Sequence, residues 1–404
     1  MKGCESMILR THYLEQAIPF VDQDLIKIFT GIRRSGKTVF MKQMRDWLLD
    51  HGRHPEQVLL FNMESLQTRR KAQEGRLYDE ILSYAKAHPQ KLYLFFDEIQ
   101  DIPDWQIFIN SLRVDIDCDL YITGSNATLL SNELATCLSG RYIQIPVYPF
   151  SLKEARKFQK QQGTFQSDEK LFQDYLQFGG FPQRFYLPDA ASAETYLRDL
   201  FEAVVLRDVL SRHKTRDTVS LQRVLAFVLD NIGNPCSARK ISGALTSAGL
   251  KTSVPTVLNQ LQWFQDAFII ERASRYDIIG KELLTATEKY YAADLGLRNA
   301  IKSSEKLDIS KLYENLVYLE MRTRGYQVRV GKLNNQEIDF ICQKGREKLY
   351  IQVDYLLTPK DMDRKFGNLK AIQDNYPKYV ISSDPIDMSQ DGIIHKNILD
   401  FLLG

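Results

Sequence analysis

The chain has 404 residues, 44% hydrophobic and 26% charged, with no repeat or low-complexity tract, which predicts a soluble globular protein of two or three domains. Its formal net charge of +2 excludes a global basic field, so any nucleic-acid contact must come from a local surface. Five scattered cysteines without CxxC pairing (Cys4, Cys118, Cys137, Cys236, Cys342), charged residues after Met1–Met7 and no long uncharged apolar run predict a cytoplasmic chain with reduced thiols and no membrane contact.

Residues 8–24 read as a lead-in whose Tyr13, Leu14 and Ile18 pack before the first strand. Leu25, Ile26, Ile28 and Phe29 read as a buried strand running into Gly31-x4-Gly36-Lys37-Thr38. After that loop Val39, Phe40, Met41, Met44, Trp47 and Leu48 recur at helical spacing. Strand, glycine-bounded loop and helix in that order mark a phosphate-binding loop. Gly31 and Gly36 let the backbone curl so that the amides of Ile32, Arg33, Arg34, Ser35, Gly36, Lys37, Thr38 and Val39 face phosphate oxygens at a helix amino terminus. Lys37 would neutralise the β- and γ-phosphates, and the Thr38 hydroxyl would ligate Mg2+.

Val58–Phe61 is a short strand, followed by a polar stretch and a helical pattern through Leu77, Ile81, Leu82 and Tyr84. Strands alternating with helices predict an α/β core with a parallel sheet covered on both faces. Leu92–Phe96 is apolar without alternation, as in a strand buried on both sides, and ends in Asp97-Glu98, where ligands of open α/β sheets bind. Asp97 is the candidate for the Mg2+ shell and Glu98 for the base that orients and deprotonates water. Trp105 to Val114 reads as an amphipathic helix. Asp119–Thr123 is another strand, leading into Gly124-Ser125-Asn126. Two readings stand for Ser125 and Asn126: they sense the γ-phosphate and position water, or they are turn chemistry. A helix is expected over 128–138, then Ser139-Gly140-Arg141 and a closing strand, Tyr142–Ile145. Arg141 is a candidate arginine finger, in cis or across a subunit boundary in an oligomer, or a surface arginine.

Gly-Ile-Arg-Arg-Ser-Gly-Lys-Thr, Phe-Phe-Asp-Glu-Ile-Gln, Thr-Gly-Ser-Asn, Leu-Ser-Gly-Arg-Tyr and Tyr-Pro-Phe-Ser-Leu-Lys-Glu-Ala together resemble the AAA-type ATPases of prokaryotes that carry a carboxy-terminal domain of unknown function. The resemblance covers nearly the whole chain. It implies ATP with Mg2+ as the ligand, and an extra strand between the phosphate-loop strand and the Asp-Glu strand.

Four regions follow from this reading: a nucleotide core over 1–150, a helical lid or linker over 151–200, a winged-helix-like region over 201–276 and an α/β tail over 277–404. The second holds a glycine-rich turn, Phe178-Gly179-Gly180-Phe181-Pro182. The third shows three helical patterns, with Ser237 capping the second and Ser253 and Pro255 starting the third, and then an extended pair over 268–276 as the wing. It resembles a winged helix-turn-helix, which would place the third helix on DNA. That helix offers Thr252, Ser253, Thr256, Asn259, Gln260 and Gln262, with only Lys251 as a cation. Arg207, Arg212, Lys214, Arg216, Arg239 and Lys240 lie elsewhere, so both DNA and a protein partner stand as readings.

The order of elements in the tail resembles the restriction-endonuclease-type fold. That resemblance implies a helix Glu at Glu314, a strand Asp at Asp339 and a Glu-x-Lys where this chain has Gln352-Val353-Asp354. The missing lysine removes the cation that would stabilise phosphorane charge, and Gln352 is a weaker metal ligand than a carboxylate. The tail is therefore expected to be a platform without cleavage activity. Three functions compete: ATP hydrolysis that rearranges the tail, an ATP-held switch with negligible turnover, and an ATP-dependent nuclease.

Overall fold

A computed structural model describes residues 7–127, 140–213, 217–301 and 308–404. The helix expected over 128–138, Ser139, Lys214, Arg216, Cys4 and Cys137 lie outside the described residues. The chain divides into two compact units, Met1–Tyr148 with Asp266–Phe268, and Pro149–Gln265 with Ile269–Gly404. Among the described residues no helix is long and apolar enough to cross a membrane.

The first unit is built on five parallel strands: β1 (Ile26–Thr30), β2 (Val58–Asn62), β3 (Leu92–Asp97), β4 (Cys118–Gly124) and β5 (Tyr142–Pro146). Their order is β2-β3-β4-β1-β5, so β4 is the extra strand between the phosphate-loop strand and the Asp-Glu strand. Every residue of β1 and β3 is buried, because successive side chains point to opposite faces and helices cover both. Ile26, Ile28, Leu94, Phe96, Leu120 and Ile122 pack with Leu77, Ile81, Trp105, Ile109 and Leu112 on one face. Phe29, Tyr93, Phe95 and Tyr121 pack on the other with Phe40, Met41, Met44 and Leu48 of the helix Lys37–Asp50 and with Tyr13 and Leu14 of the lead-in. Lys27 also faces this side, fully buried, and is neutralised by Asp119 of the neighbouring strand.

The second unit combines helices with a seven-stranded mixed sheet: β6 (Ile270–Asp277), β7 (Glu282–Ala292), β8 (Gln327–Leu333), β9 (Gln336–Lys344), β10 (Glu347–Val353), β11 (Lys378–Ser382) and β12 (Ile394–Asn397), in the order β12-β11-β10-β9-β8-β6-β7. Pro149–Gln265 and Ile269–Gly404 group together as one compact unit. The boundary expected at 276/277 falls at the end of β6, whose partners on both sides belong to the tail sheet: β7 antiparallel and β8 parallel. The segment expected as a wing is thus a strand of that sheet, because its backbone groups find partners on both edges. The three preceding helices are Thr218–Asp230, Ala238–Ser247 and Val254–Asp266, the second capped by Ser237. Gln260, expected on a reading face, is instead buried and donates to the Ser220 hydroxyl at 3.3 Å.

Candidate functional site

The loop after β1 and the ends of β3 and β4 meet at the carboxyl edge of the first sheet. Gly31 has φ +147, and a Cβ there would collide with the Val147 carbonyl oxygen. Gly36, with φ +100, turns the chain into the helix Lys37–Asp50. Both positions require glycine, since an L side chain is strained in that conformation. Ile32 and Ser35 are buried, Thr38 and Val39 are partly buried in the first helical turn, and Arg34 is exposed. Arg33 pairs with Glu64 at 3.3 Å.

Lys37 is buried, and its ammonium donates to the carbonyls of Gly31 at 3.0 Å and Ile32 at 3.1 Å. It also faces Glu98 Oε1 at 3.8 Å. The Thr38 hydroxyl donates to Asp97 Oδ1 at 3.1 Å, and the Thr123 hydroxyl donates to the same oxygen at 2.6 Å. Thr123 in turn accepts the Glu98 amide at 2.9 Å. Glu98 takes a left-handed backbone, φ +54, as β3 passes into a short turn over Ile99–Asp101. A non-glycine residue held there costs on the order of 1–3 kcal/mol and clusters at functional sites.

The electrostatics separate the two acids. Burial pushes the Asp97 carboxyl up, against the Thr123 and Thr38 hydroxyls. Burial alone would raise Glu98 too, but the Lys37 ammonium and the Gln100 and Ser125 donors outweigh it and hold that carboxyl below its usual range. Ser125 is fully buried beside Glu98, and Asn126 is buried next to it. Lys37, Thr38, Asp97, Glu98 and Ser125 are therefore brought together.

Arg141 is not among them. Parallel pairing sets Ile26 opposite Tyr142, so Arg141 sits exposed where the strands begin, while the loop follows their ends. Four strand residues at about 3.3 Å each separate the two edges. A finger role in cis is corrected on this geometry.

Three residues at the loop escape the sequence reading. Thr123 bridges both acids, and only its place at the end of a buried strand hints at that. Gln100, in Asp-Glu-Ile-Gln, donates to Glu98 Oε2 and lies 3.5 Å from the Ser125 hydroxyl. Arg10 is buried and donates to the Ser35 carbonyl at 3.1 Å and the Tyr148 carbonyl at 2.8 Å, bracing the loop from the lead-in. Nothing local in the sequence marks it.

A second cluster lines a cavity of about 610 Å³ in the tail. Asp339 on β9 accepts the Lys365 ammonium at 2.6 Å and the Val353 amide at 2.8 Å. Lys365 comes from the helix Pro359–Lys370, so the cation absent from β10 is supplied by another element. Buried Lys289 lies 3.4 Å from Glu314 and 2.7 Å from Glu337, and Lys311 also pairs with Glu314. Burial pushes Glu314 up, whereas at Asp339 the Lys365 and Lys289 ammoniums outweigh burial and hold the carboxyl down. Asp354, which lines the same cavity, accepts from Ser310 at 2.8 Å and pairs with Arg364 at 3.2 Å. Among the described residues no group of three or more His, Cys, Asp or Glu side chains is arranged to hold a metal ion.

Residues 23–156 match the family model described as an AAA domain, and residues 169–309 match one described as a domain of unknown function, DUF8612. An uncharacterized protein of Haemophilus influenzae is 38% identical over 400 residues, covering 99% of this chain and 99% of its own. An uncharacterized protein of Methanocaldococcus jannaschii, MJ1544, is 30% identical, covering 86% of this chain and 79% of its own. The Walker-type ATPase paby2304 of Pyrococcus abyssi is 14% identical with a TM-score of 0.47, covering 72% of this chain and 94% of that one. A likeness at that level carries no inference about activity.

Proposed function

This chain belongs to the family of those Haemophilus and Methanocaldococcus proteins and carries an AAA-type P-loop domain, and from that premise we propose that it binds MgATP, hydrolyses it to ADP and phosphate, and uses the nucleotide state to rearrange an interaction platform in its second unit. The observation that carries the reading is convergence at one sheet edge. Thr38 meets Asp97 at 3.1 Å, and Lys37 meets Glu98 at 3.8 Å, across about 60 residues of chain.

The loop amides and the helix amino terminus would cradle the phosphates. Lys37 would exchange the Gly31 and Ile32 carbonyls for phosphate oxygens, a stronger charge-assisted bond. Mg2+ takes one or two protein oxygens beside the phosphates, and the adjoining Thr38 hydroxyl and Asp97 carboxylate fit that need. When bound, it would neutralise charge developing on the phosphoryl oxygens. Glu98, held ionised and next to the loop lysine, would accept the proton of the attacking water.

Steady-state phosphate release by the full chain, with binding of a fluorescent ATP analogue, tests the reading. The parent should bind and turn over, and Lys37→Ala should lose binding. A parent that binds without any chemical step in single turnover would leave the ATP-held switch in its place. Partner class follows from charge: the exposed face of the third helix presents Pro255, Leu258, Asn259 and Gln262, none of them cationic. That favours a protein partner over DNA, because tight DNA binding needs several phosphate-neutralising cations.

Lys365 beside Asp339 favours one second reading, an ATP-dependent nuclease in the tail. The proposed assignment remains a platform without cleavage activity, because Glu314, Glu337 and Asp339, the acids at the buried end of the cavity, are each engaged by Lys289, Lys311 or Lys365. Plasmid nicking with Mg2+ or Mn2+ that disappears in Asp339→Ala would reverse this assignment.

A further inference from the structure

Gln100 follows the acidic pair by two residues, in the turn that carries the chain away from β3. Its amide has two unlike ends, and the surroundings fix which is which. The end facing Glu98 Oε2 must be the NH2 group, since a carboxylate only accepts; that group also reaches the Ser125 hydroxyl at 3.5 Å. The carbonyl end, Oε1, is buried with no hydrogen-bond partner among the described residues. Here its donors go to the acid and to Ser125, which itself donates to that acid.

The two oxygens of the Glu98 carboxylate face different neighbours. Gln100 holds Oε2, while Oε1 is turned toward the Lys37 ammonium at 3.8 Å, on the side of the phosphate loop. We propose that Gln100 is the positioning residue for the base in ATP hydrolysis: by occupying Oε2 it leaves Oε1 as the oxygen that takes the proton of the attacking water. In that step the water oxygen forms a bond to the γ-phosphorus and its proton passes to Glu98 Oε1. The bond from that phosphorus to the β,γ-bridging oxygen breaks, its electron pair leaves with ADP, and orthophosphate is the second product. Gln100 exchanges no atom. It restrains the carboxylate's rotation.

The inference rests on the hydrolytic reading above, and its test separates the two. Gln100→Met keeps length and bulk without the donor, and Gln100→Glu keeps the shape but sets a second carboxylate against the first. Both should bind the fluorescent ATP analogue within about threefold of the parent, while kcat falls about ten- to hundredfold, part of what a well-placed general base contributes. In a Glu98→Gln background Gln100→Met should lower kcat no further, as a residue that acts only through that carboxylate requires. A parent without turnover overturns the hydrolytic reading and this inference with it. A parent that hydrolyses ATP, beside folded variants whose kcat stays within about threefold of the parent's or falls further in the Glu98→Gln background, overturns the role of Gln100 alone.

Discussion

Replacing Glu98 by glutamine should separate binding from chemistry in opposite directions. In the nucleotide-free protein the Lys37 ammonium sits 3.8 Å from Glu98 Oε1, with both side chains largely buried. At an effective dielectric of about 20, opposite unit charges at that distance attract by roughly 4 kcal/mol. ATP must draw Lys37 toward its phosphates against part of that attraction. Glu98→Gln removes it, and if only a third is recovered, about 1.4 kcal/mol, affinity rises about tenfold. The same change deletes the proton acceptor, so kcat should fall by about 10²–10⁴. Equilibrium titration with a fluorescent ATP analogue gives the first number, and phosphate release at saturating MgATP gives the second. Weaker binding than the parent would refute the electrostatic argument. Unchanged turnover would refute the assignment of the base.

Two further predictions concern the scaffold. Asp119 accepts from buried Lys27, from the Tyr121 hydroxyl at 2.8 Å and from the Asp22 amide at 2.9 Å, while burial pushes the Lys27 ammonium down against that pairing. Asp119→Asn leaves an uncompensated buried ammonium and should cost about 3–5 kcal/mol, read as a lowered first transition in chemical denaturation; adding Lys27→Met should recover most of it. In the second unit, Asp294 is fully enclosed, accepts the Gly180 amide at 2.6 Å and the Leu297 amide at 3.1 Å, and has its carboxyl raised by burial to about 6. A raised carboxyl favours the folded state at low pH, and that contribution is lost as pH rises from about 4 through about 6; the loss is roughly 3 kcal/mol at about 1.4 kcal/mol per unit. Denaturation of Asp294→Asn at pH 4.5 and 7.5 should lack this pH-dependent component, and a pH dependence equal to the parent's would show that Asp294 does not set it.

The local readings and the long-range ones fared differently, for a physical reason. The β1–loop–helix passage, the unbroken apolar run of β3 and the Ser237 cap are legible because each depends on residues a few positions apart, on backbone conformation and on alternating burial. The wing was misread because Ile270–Asp277 has the composition of any short strand, and only β8, some 50 residues on, decides which sheet takes it. Gln260 sits among polar residues that suit an exposed face, yet the pitch of its helix turns it inward onto Ser220.

What the sequence by itself determined is a glycine-framed loop entering a helix and an acidic pair closing a buried strand, since both are dictated by sterics and solvation within one or two turns of chain. Which groups share a site was decided by strand order: inserting β4 between β1 and β3 delivers Thr123 and Ser125 to the acids, and parallel β5 carries Arg141 to the far edge. Lys365 shows the same thing in the tail. A cation missing from its expected strand can arrive from a helix, because an ion pair depends on distance in space and takes no account of position along the chain.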